Sequence, residues 1–283
     1  MRNAVFMVLG SCASLQIGAA LAAHLFPATG SAGATLLRLS MAAAVLLVLA
    51  RPAVRAWRRD QWREVLLLGA TLAGMNGFFY AAIARIPLGV AVTIEFLGPL
   101  TLAAVLSRRG RDLIWVALAA AGIPALGWTG PHAAGLDPLG VAYVLVAAVF
   151  WALYILASAR AGAAVPGQGG LAVAMTAGAL LLIPGGLAGA GAALTSPHLL
   201  LLALGTGLLA SVIPYTLEMS ALRRLPRPVF GVLLSLEPAV AALAGWLLLS
   251  QSLSLQAVAG VAIVVLASIG STVSSVRGSV AVS

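Results

Sequence analysis

The chain has 283 residues, of which 62% are hydrophobic and only 8% are charged, and its mean hydropathy is +1.09. A soluble protein needs more polar side chains than this to cover its surface, so the composition predicts a multi-pass membrane protein. The net charge of +9 comes from arginines in short runs between apolar segments. That pattern favours membrane topology over nucleic-acid binding.

Apolar segments long enough to cross a bilayer recur along the whole chain. A hydrocarbon core of about 30 Å needs about 20 helical residues, and turns rich in Gly, Pro and Arg separate the segments. The first segment has features of a signal peptide, but Gln16 inside it and the later spans favour a first transmembrane helix. The sequence predicts ten membrane helices, near 3–25, 32–50, 64–84, 87–107, 112–129, 137–158, 170–190, 198–220, 227–249 and 254–274.

The same pattern occurs twice in the chain, 139 residues apart. Arg85-Ile86-Pro87 with Pro99 downstream recurs as Arg224-Leu225-Pro226 with Pro238 downstream. Paired, proline-interrupted apolar segments in two halves are typical of the substrate site of a transporter.

An odd number of helices in each half inverts the second half relative to the first. With five predicted helices per half, the second half must enter the membrane from the opposite side. We therefore predict an all-α membrane protein of two inverted five-helix repeats, the first at 1–130 and the second at 131–283. Such an arrangement lets one fold open alternately to either side of the membrane.

The arginines predict on which side the chain termini lie. A cytoplasmic N-terminus puts 14 of the 16 basic residues on the cytoplasmic side, with Arg85 in an outer connection and Arg38 inside a span. Because basic loops stay in the cytoplasm, both termini are predicted to be cytoplasmic. The fourteen are Arg2, Arg51, Arg55, Arg58, Arg59, Arg63, Arg108, Arg109, Arg111, Arg160, Arg223, Arg224, Arg227 and Arg277.

The sequence lacks the motifs of enzymatic chemistry. It contains no nucleophile elbow, Walker loop or paired-cysteine motif, so neither enzyme activity nor a cofactor is expected. The single cysteine, Cys12, is interpreted as a packing residue. His24, His132 and His198 fall at predicted outer helix ends without acidic or cysteine partners, so no metal site is expected.

Glu95 lies near the middle of the fourth predicted helix, where a carboxyl group must be neutral or partnered. Pro99 cannot donate a backbone hydrogen bond to the Glu95 carbonyl, and Gly98 removes side-chain bulk. Together these residues predict a broken helix that lines a cavity. The alternative is a protonated Glu95 that only packs against a neighbouring helix.

Two further carboxyl groups belong to the second half. Glu237 precedes Pro238 in the ninth predicted helix, but at the repeat offset it matches Gly98, so the acidic groups are not symmetric copies. Glu218 shares a helical face with Tyr215 near the cytoplasmic end of helix eight. It is predicted either to gate the cavity or to form a salt bridge with Arg223, Arg224 or Arg227.

Two pairs of side chains form polar-aromatic faces inside predicted spans. Asn76 and Tyr80 are one helical turn apart on helix three, and Trp151 and Tyr154 are three residues apart on helix six. A polar ligand the size of an amino acid needs a few such hydrogen-bonding groups within an apolar wall.

Two more polar side chains extend this set of candidate ligand-binding residues. Gln16 lies in the first predicted helix and Arg38 in the second. Arg38 is predicted either to contact an anionic group or to snorkel to the outer surface.

These residues and the runs around them resemble the EamA-type branch of the drug/metabolite transporter superfamily, and within it the Rht-type threonine/homoserine exporters. The resemblance implies an inner-membrane exporter of small neutral amino acids that works by alternating access against inward proton flow. The most specific runs are 86–99 and 214–219. Further matches are 13–16, 25–27, 37–39, 74–76, 79–80, 151–156, 160–162 and 237–239.

The resemblance has one clear departure and leaves alternatives open. Family members carry a Gly-Glu pair where helix nine ends, and Ser250-Gln251 replaces it here. A broad-specificity metabolite or drug exporter is one alternative; a strongly aromatic, acid-lined cavity would favour it, whereas the 6% aromatic content does not. A channel or lipid scramblase, which needs no alternating access, is another. The expected partners are a small-molecule substrate and membrane lipid, but not nucleic acid.

Overall fold

The computed structural model describes residues 2–107, 110–127, 136–222, 224–225 and 227–280. Within these ranges the chain is helical and contains no strand. The α-helices are α1 (Arg2–Ala23), α2 (Phe26–Ala50), α3 (Arg59–Ile83), α4 (Leu88–Glu95), α5 (Leu97–Ser107), α6 (Leu113–Gly127), α7 (Pro138–Ala164), α8 (Gly169–Leu194), α9 (Pro197–Gly207), α10 (Ile213–Leu222), α11 (Arg227–Leu234), α12 (Glu237–Leu249) and α13 (Leu255–Val280). A π-helical turn, Leu208–Val212, joins α9 to α10, and 3-10 turns at Val54–Ala56 and Gly110–Asp112 precede α3 and α6.

Long apolar helical segments make up most of the described chain. Large side chains such as Leu180, Leu181 and Leu201 are exposed along them, as expected for residues that face lipid. By length and composition, nine segments of the described residues can cross a membrane: Asn3–Ala23, Phe26–Ala50, Arg59–Ile83, Leu88–Leu106, Pro138–Ala164, Gly169–Leu194, Pro197–Glu218, Val229–Leu249 and Leu255–Val273.

The predicted fifth helix, 112–129, corresponds to α6. Among the described residues its apolar stretch is Leu113–Gly122, and the helix is described as far as Gly127. Several sequence predictions fall outside the described residues. These are the end of that helix, the repeat boundary at 130–131, and the positions of Arg108, Arg109, His132, Arg223 and Pro226.

Local chemistry explains where several helices begin. Asp137 caps α7 by accepting a hydrogen bond from the Leu139 backbone N–H at 2.9 Å, and Pro138 occupies the first turn. The Arg85 guanidinium donates to the Asp137 carboxylate at 2.8 Å and, with that N–H, lowers the pKa of Asp137 below its usual value. In α2, Gly30 adopts a positive φ of 64° and kinks the helix, so the straight part begins close to the predicted start at residue 32.

Two spans are broken near their middle. The fourth span consists of α4 and α5 with the break at Phe96, and its counterpart consists of α11 and α12 with the break at Ser235-Leu236. Each break begins three residues before a proline, Pro99 or Pro238. The cause is the missing proline N–H, which leaves the carbonyl four residues earlier without a helical partner.

The helices pack in pairs across the two halves of the chain. The main contacts join α2 to α8, α3 to α7 and α8, α1 to α10 and α12, α4 to α12, and α6 to α13. Small residues allow the closest approaches, since a Cβ added to Gly33 on α2 would lie 2.9 Å from the Ala190 nitrogen on α8. This packing leaves a cavity in the interior.

Candidate functional site

A cavity of about 390 Å³ lies between helices of both halves. Its size is within the range of small-molecule sites. Pro99 lines it, whereas Gly98 and Pro238 are not part of the wall. Nine of the candidate side chains predicted from the sequence line it as well: Gln16, Arg38, Asn76, Glu95, Trp151, Tyr154, Tyr215, Glu218 and Glu237.

Three carboxyl groups face this cavity, and two of them are held by neighbours on α1. Gln16 donates from Nε2 to Glu237 Oε1 at 3.1 Å, and the Ser11 hydroxyl donates to Glu218 Oε1 at 2.6 Å. Glu95, at the end of α4, is only 7% exposed. Helix α1 therefore orients both carboxyl groups contributed by the second half.

Glu218 faces the cavity and does not pair with an arginine among the described residues. Arg224 is exposed on the surface, while the side chains of Arg223 and Arg227 are outside the described part of the chain. The structure thus places Glu218 in the cavity wall, with Ser11 as its hydrogen-bond donor.

Arg38 is buried at 3% exposure, so of the two alternatives for this residue it does not snorkel to the outer surface. Its Nη2 donates to the Ala210 carbonyl at 2.6 Å and its Nε donates to the Ser211 hydroxyl at 3.2 Å. Both acceptors lie in the π-helical turn, where the regular ladder is interrupted and backbone carbonyls are available to a side chain. The guanidinium group thus supplies a fixed positive charge at the cavity wall.

Tyr80 is the one candidate ligand-binding side chain that does not line the cavity. It is fully buried behind Arg38, whose guanidinium carbon lies 5.3 Å from the centre of its ring. It also packs edge-on against Phe26. Tyr80 therefore contacts Arg38 in a cation–π arrangement and is not part of the cavity wall. Asn76, one turn earlier, lines the wall and donates to the Leu72 carbonyl at 2.8 Å.

Aromatic rings form much of the remaining wall. Trp151 meets Phe96 edge-on at 5.0 Å between ring centres, and Tyr154 lies 6.4 Å from Tyr215. Phe79 completes this group. Edge-on and tilted arrangements are the favoured geometries of aromatic pairs, so these rings stabilise one another in the wall.

The last helix, α13, also lines the cavity, and this contribution was not predicted from the sequence. Ser268, Ser271 and Thr272 on α13 line the cavity, and Ser268 is within 2.7 Å of the Ser235 hydroxyl at the break between α11 and α12. Their spacing of three and four residues places these hydroxyls on one face of an apolar helix. That spacing was the signal that could have identified them. Among the described residues, no three His, Cys, Asp or Glu side chains group as metal ligands would.

Known proteins share this chain's sequence along most of its length. The threonine/homoserine exporter RhtA of Escherichia coli (strain K12) is 39% identical over 268 residues, which is 95% of this chain and 90% of the exporter. The exporter of the same name from Salmonella typhimurium (strain LT2) is 40% identical with the same coverage.

A family match and a solved structure agree with these relatives. Residues 138–273 match the EamA-like transporter family. One crystal structure with 22% sequence identity has a TM-score of 0.64 and covers 98% of this chain and 99% of its own, which shows a shared fold. These matches confirm the resemblance found in the sequence and describe a multi-pass membrane transporter rather than an enzyme. The chain belongs to the EamA-like transporter family.

Proposed function

We propose that this protein is a bacterial inner-membrane exporter of small neutral amino acids of the threonine/homoserine type. The observation that carries the proposal is the 39–40% identity to threonine/homoserine exporters, because it extends over 95% of the chain. The match therefore includes nearly all of the helices that form the cavity. Fold alone would not identify a substrate, since one transporter fold serves many substrates.

The cavity has the groups that an amino-acid zwitterion requires. Arg38 offers a positive charge for a carboxylate, and Glu95 and Glu237 offer oxygen acceptors for an ammonium group. Charge-assisted hydrogen bonds of this kind are the strong ones inside a low-dielectric site. Asn76 and the hydroxyl-bearing face of α13 line the same cavity, where the polar side chain of threonine or homoserine would lie.

The mechanism we propose is alternating access by ten helices in two inverted repeats, 1–130 and 131–283, with α6 as the fifth. Two features support the repeats. Helices α4 and α11 each have eight residues and begin 139 positions apart. The packing also has the symmetry expected of two repeats, in which α7 is the counterpart of α1 and α10 is the counterpart of α3. Helix α1 packs on α10, and in the same way α7 packs on α3. Helix α2 packs on its own counterpart, α8.

Proton coupling through the carboxyl groups completes the proposal. Glu95, Glu218 and Glu237 share one cavity with the single guanidinium group of Arg38. Three buried negative charges beside one positive charge are costly in a membrane interior, so we expect the cavity to hold at least one proton when it is empty. Release of that proton as the zwitterion binds would link export to inward proton flow.

A second candidate is a broad-specificity metabolite or drug exporter. The cavity is more aromatic than the composition suggested, because Phe79, Phe96, Trp151, Tyr154 and Tyr215 all line it together with three glutamates. Aromatic, acid-lined walls suit apolar or cationic compounds. The identity to amino-acid exporters favours the first candidate, and a substrate panel separates the two.

The test is counterflow in proteoliposomes loaded with different unlabelled compounds. Labelled threonine or homoserine should accumulate when the inside holds the same amino acid, and producing the protein should lower the intracellular pools of both in bacteria. A channel or scramblase gives no trans-stimulation. Counterflow with lipophilic cations but with no neutral amino acid would establish the second candidate and exclude the first.

A further inference from the structure

The cavity extends unequally along its two broken helices. On α4 its wall begins only at Val92, and on α12 it includes only the first residue, Glu237. In the other direction it continues along α5 to Ala103 and reaches back on α11 to Gly231. The first turn of α4 and the later turns of α12 therefore lie beyond one end of the cavity.

Direct packing of α4 on α12 closes that end. A Cβ added to Gly89 would lie 2.6 Å from the Ala242 Cα, so the two backbones are in contact. The counterparts α5 and α11 make no comparable contact among the described residues. We call the contact of the first turn of α4 with α12 the seam.

Gln251 ties the seam together from beyond the end of α12. Its Oε1 accepts a hydrogen bond from the backbone N–H of Leu88 at 3.0 Å. Leu88 is the first residue of α4, and the first N–H groups of a helix have no partner within it. The bond therefore gives a backbone N–H in one half of the chain a hydrogen-bond acceptor from the other half.

The backbone around Gln251 is arranged to aim this side chain. Ser250 caps α12 with a left-handed φ of 53°, and the Gln251 N–H donates to the Gly245 carbonyl at 3.1 Å. A Cβ added to Gly245 would collide with Gln251 Oε1, so the glycine leaves room for the amide. A non-glycine residue with positive φ is strained, and such strain persists only where the surrounding contacts hold it.

We propose that Gln251 is a latch: its hydrogen bond to the start of α4 holds the seam closed and must break each time the cavity opens at that end. This rests on the proposed alternating access. Gln251 is a positioning residue, since it lies outside the cavity and acts through α4. The neighbouring Arg85–Asp137 ion pair also joins the two halves at this end, but it is solvent-exposed and therefore weak.

The test measures access to the two ends of the cavity separately, with Cys12→Ala as the background. Val92→Cys reports the latched end and Ala103→Cys the other end. A membrane-impermeant maleimide labels them in intact cells and in inverted vesicles, which present opposite faces. Gln251→Leu removes the acceptor, Gly245→Ala displaces it, and Gln251→Glu keeps an acceptor oxygen as the matched control.

With the acceptor lost or displaced, Val92→Cys should label faster and Ala103→Cys slower, each by about two- to tenfold, as expected for one hydrogen bond. Gln251→Glu should label like the parent. Faster labelling at both cysteines would mean general loosening, and no change at either would mean a plain helix cap; both results overturn the latch. Because labelling needs no substrate, these outcomes are independent of which compound is exported.

Discussion

At the scale of single residues, the three carboxyl groups of the cavity differ in what holds them. Gln16 donates to Glu237 and Ser11 donates to Glu218, so each of these carboxyl groups is fixed by α1. Glu95 instead ends α4 at the helix break, where a small movement of either half-helix changes its surroundings. This position makes Glu95 the best candidate for a group that exchanges its proton during transport.

Glu95→Gln should abolish proton-driven export while leaving the protein folded in the membrane. Glutamine keeps the size and hydrogen bonding of the side chain but fixes the neutral state. We expect efflux driven by an imposed pH gradient to fall by more than about tenfold, or about 1.4 kcal/mol in the barrier. The readout is the rate of amino-acid efflux from proteoliposomes across which a pH gradient is imposed.

Two substitutions serve as controls for that experiment. Glu64→Gln makes the same chemical change on α3 outside the cavity wall and should transport normally. Glu218→Gln keeps an acceptor for Ser11 and should have a smaller effect than Glu95→Gln. If the Glu95→Gln variant still exports at the wild-type rate in response to the pH gradient, Glu95 has only a structural role. The coupling role would then belong to Glu237 or Glu218.

At the scale of elements, glycine contacts determine how closely the helices approach. The tight contact of Gly33 with Gly189 and Ala190 joins α2 to α8, whereas Gly185 on α8 has no neighbour within 4 Å of an added Cβ. Within a membrane, lipid is as apolar as leucine, so van der Waals packing between helices has to supply the association energy. The two glycines of this helix pair are therefore expected to differ in whether they tolerate substitution by alanine.

Gly33→Ala should destabilise the folded protein by about 1–3 kcal/mol, the usual cost of overpacking. Gly185→Ala should be neutral or slightly stabilising, because alanine is the better helix former where space is open. Thermal unfolding in detergent, followed by size-exclusion chromatography, compares the two with the parent. Equal stability of both variants would contradict the close α2–α8 contact.

At the scale of the whole molecule, the arginines predict the topology. Fourteen of the 16 basic residues lie on one side of the predicted topology, and basic loops stay in the cytoplasm. A C-terminal reporter that is active only in the cytoplasm should therefore be active, and one that is active only in the periplasm should be silent. The reverse pattern would contradict ten helices with both termini inside.

Much of this protein followed from local sequence. Hydrophobicity and length identified the nine spans found among the described residues. Pro99 and Pro238 indicated the broken helices, because a missing N–H acts within one turn. Each break begins three residues before its proline. The reason is that the carbonyl without a hydrogen-bond partner lies four residues before the proline, so the helix ends there. Polar residues inside apolar spans identified most of the polar groups of the cavity wall, because burying them in lipid would be costly.

Tertiary structure decided what local sequence did not carry. The buried position of Arg38 depends on acceptors in a turn more than 170 residues away, and Tyr80 lies behind it although its helical face points to the same interior. Five aromatic rings gather at one cavity in a chain with only 6% aromatic content, so composition could not report the wall. The bond from Gln251 to Leu88 joins residues 163 positions apart. Sequence determines which segments enter the membrane because each must satisfy its own backbone there, whereas the site depends on which helices then pack together.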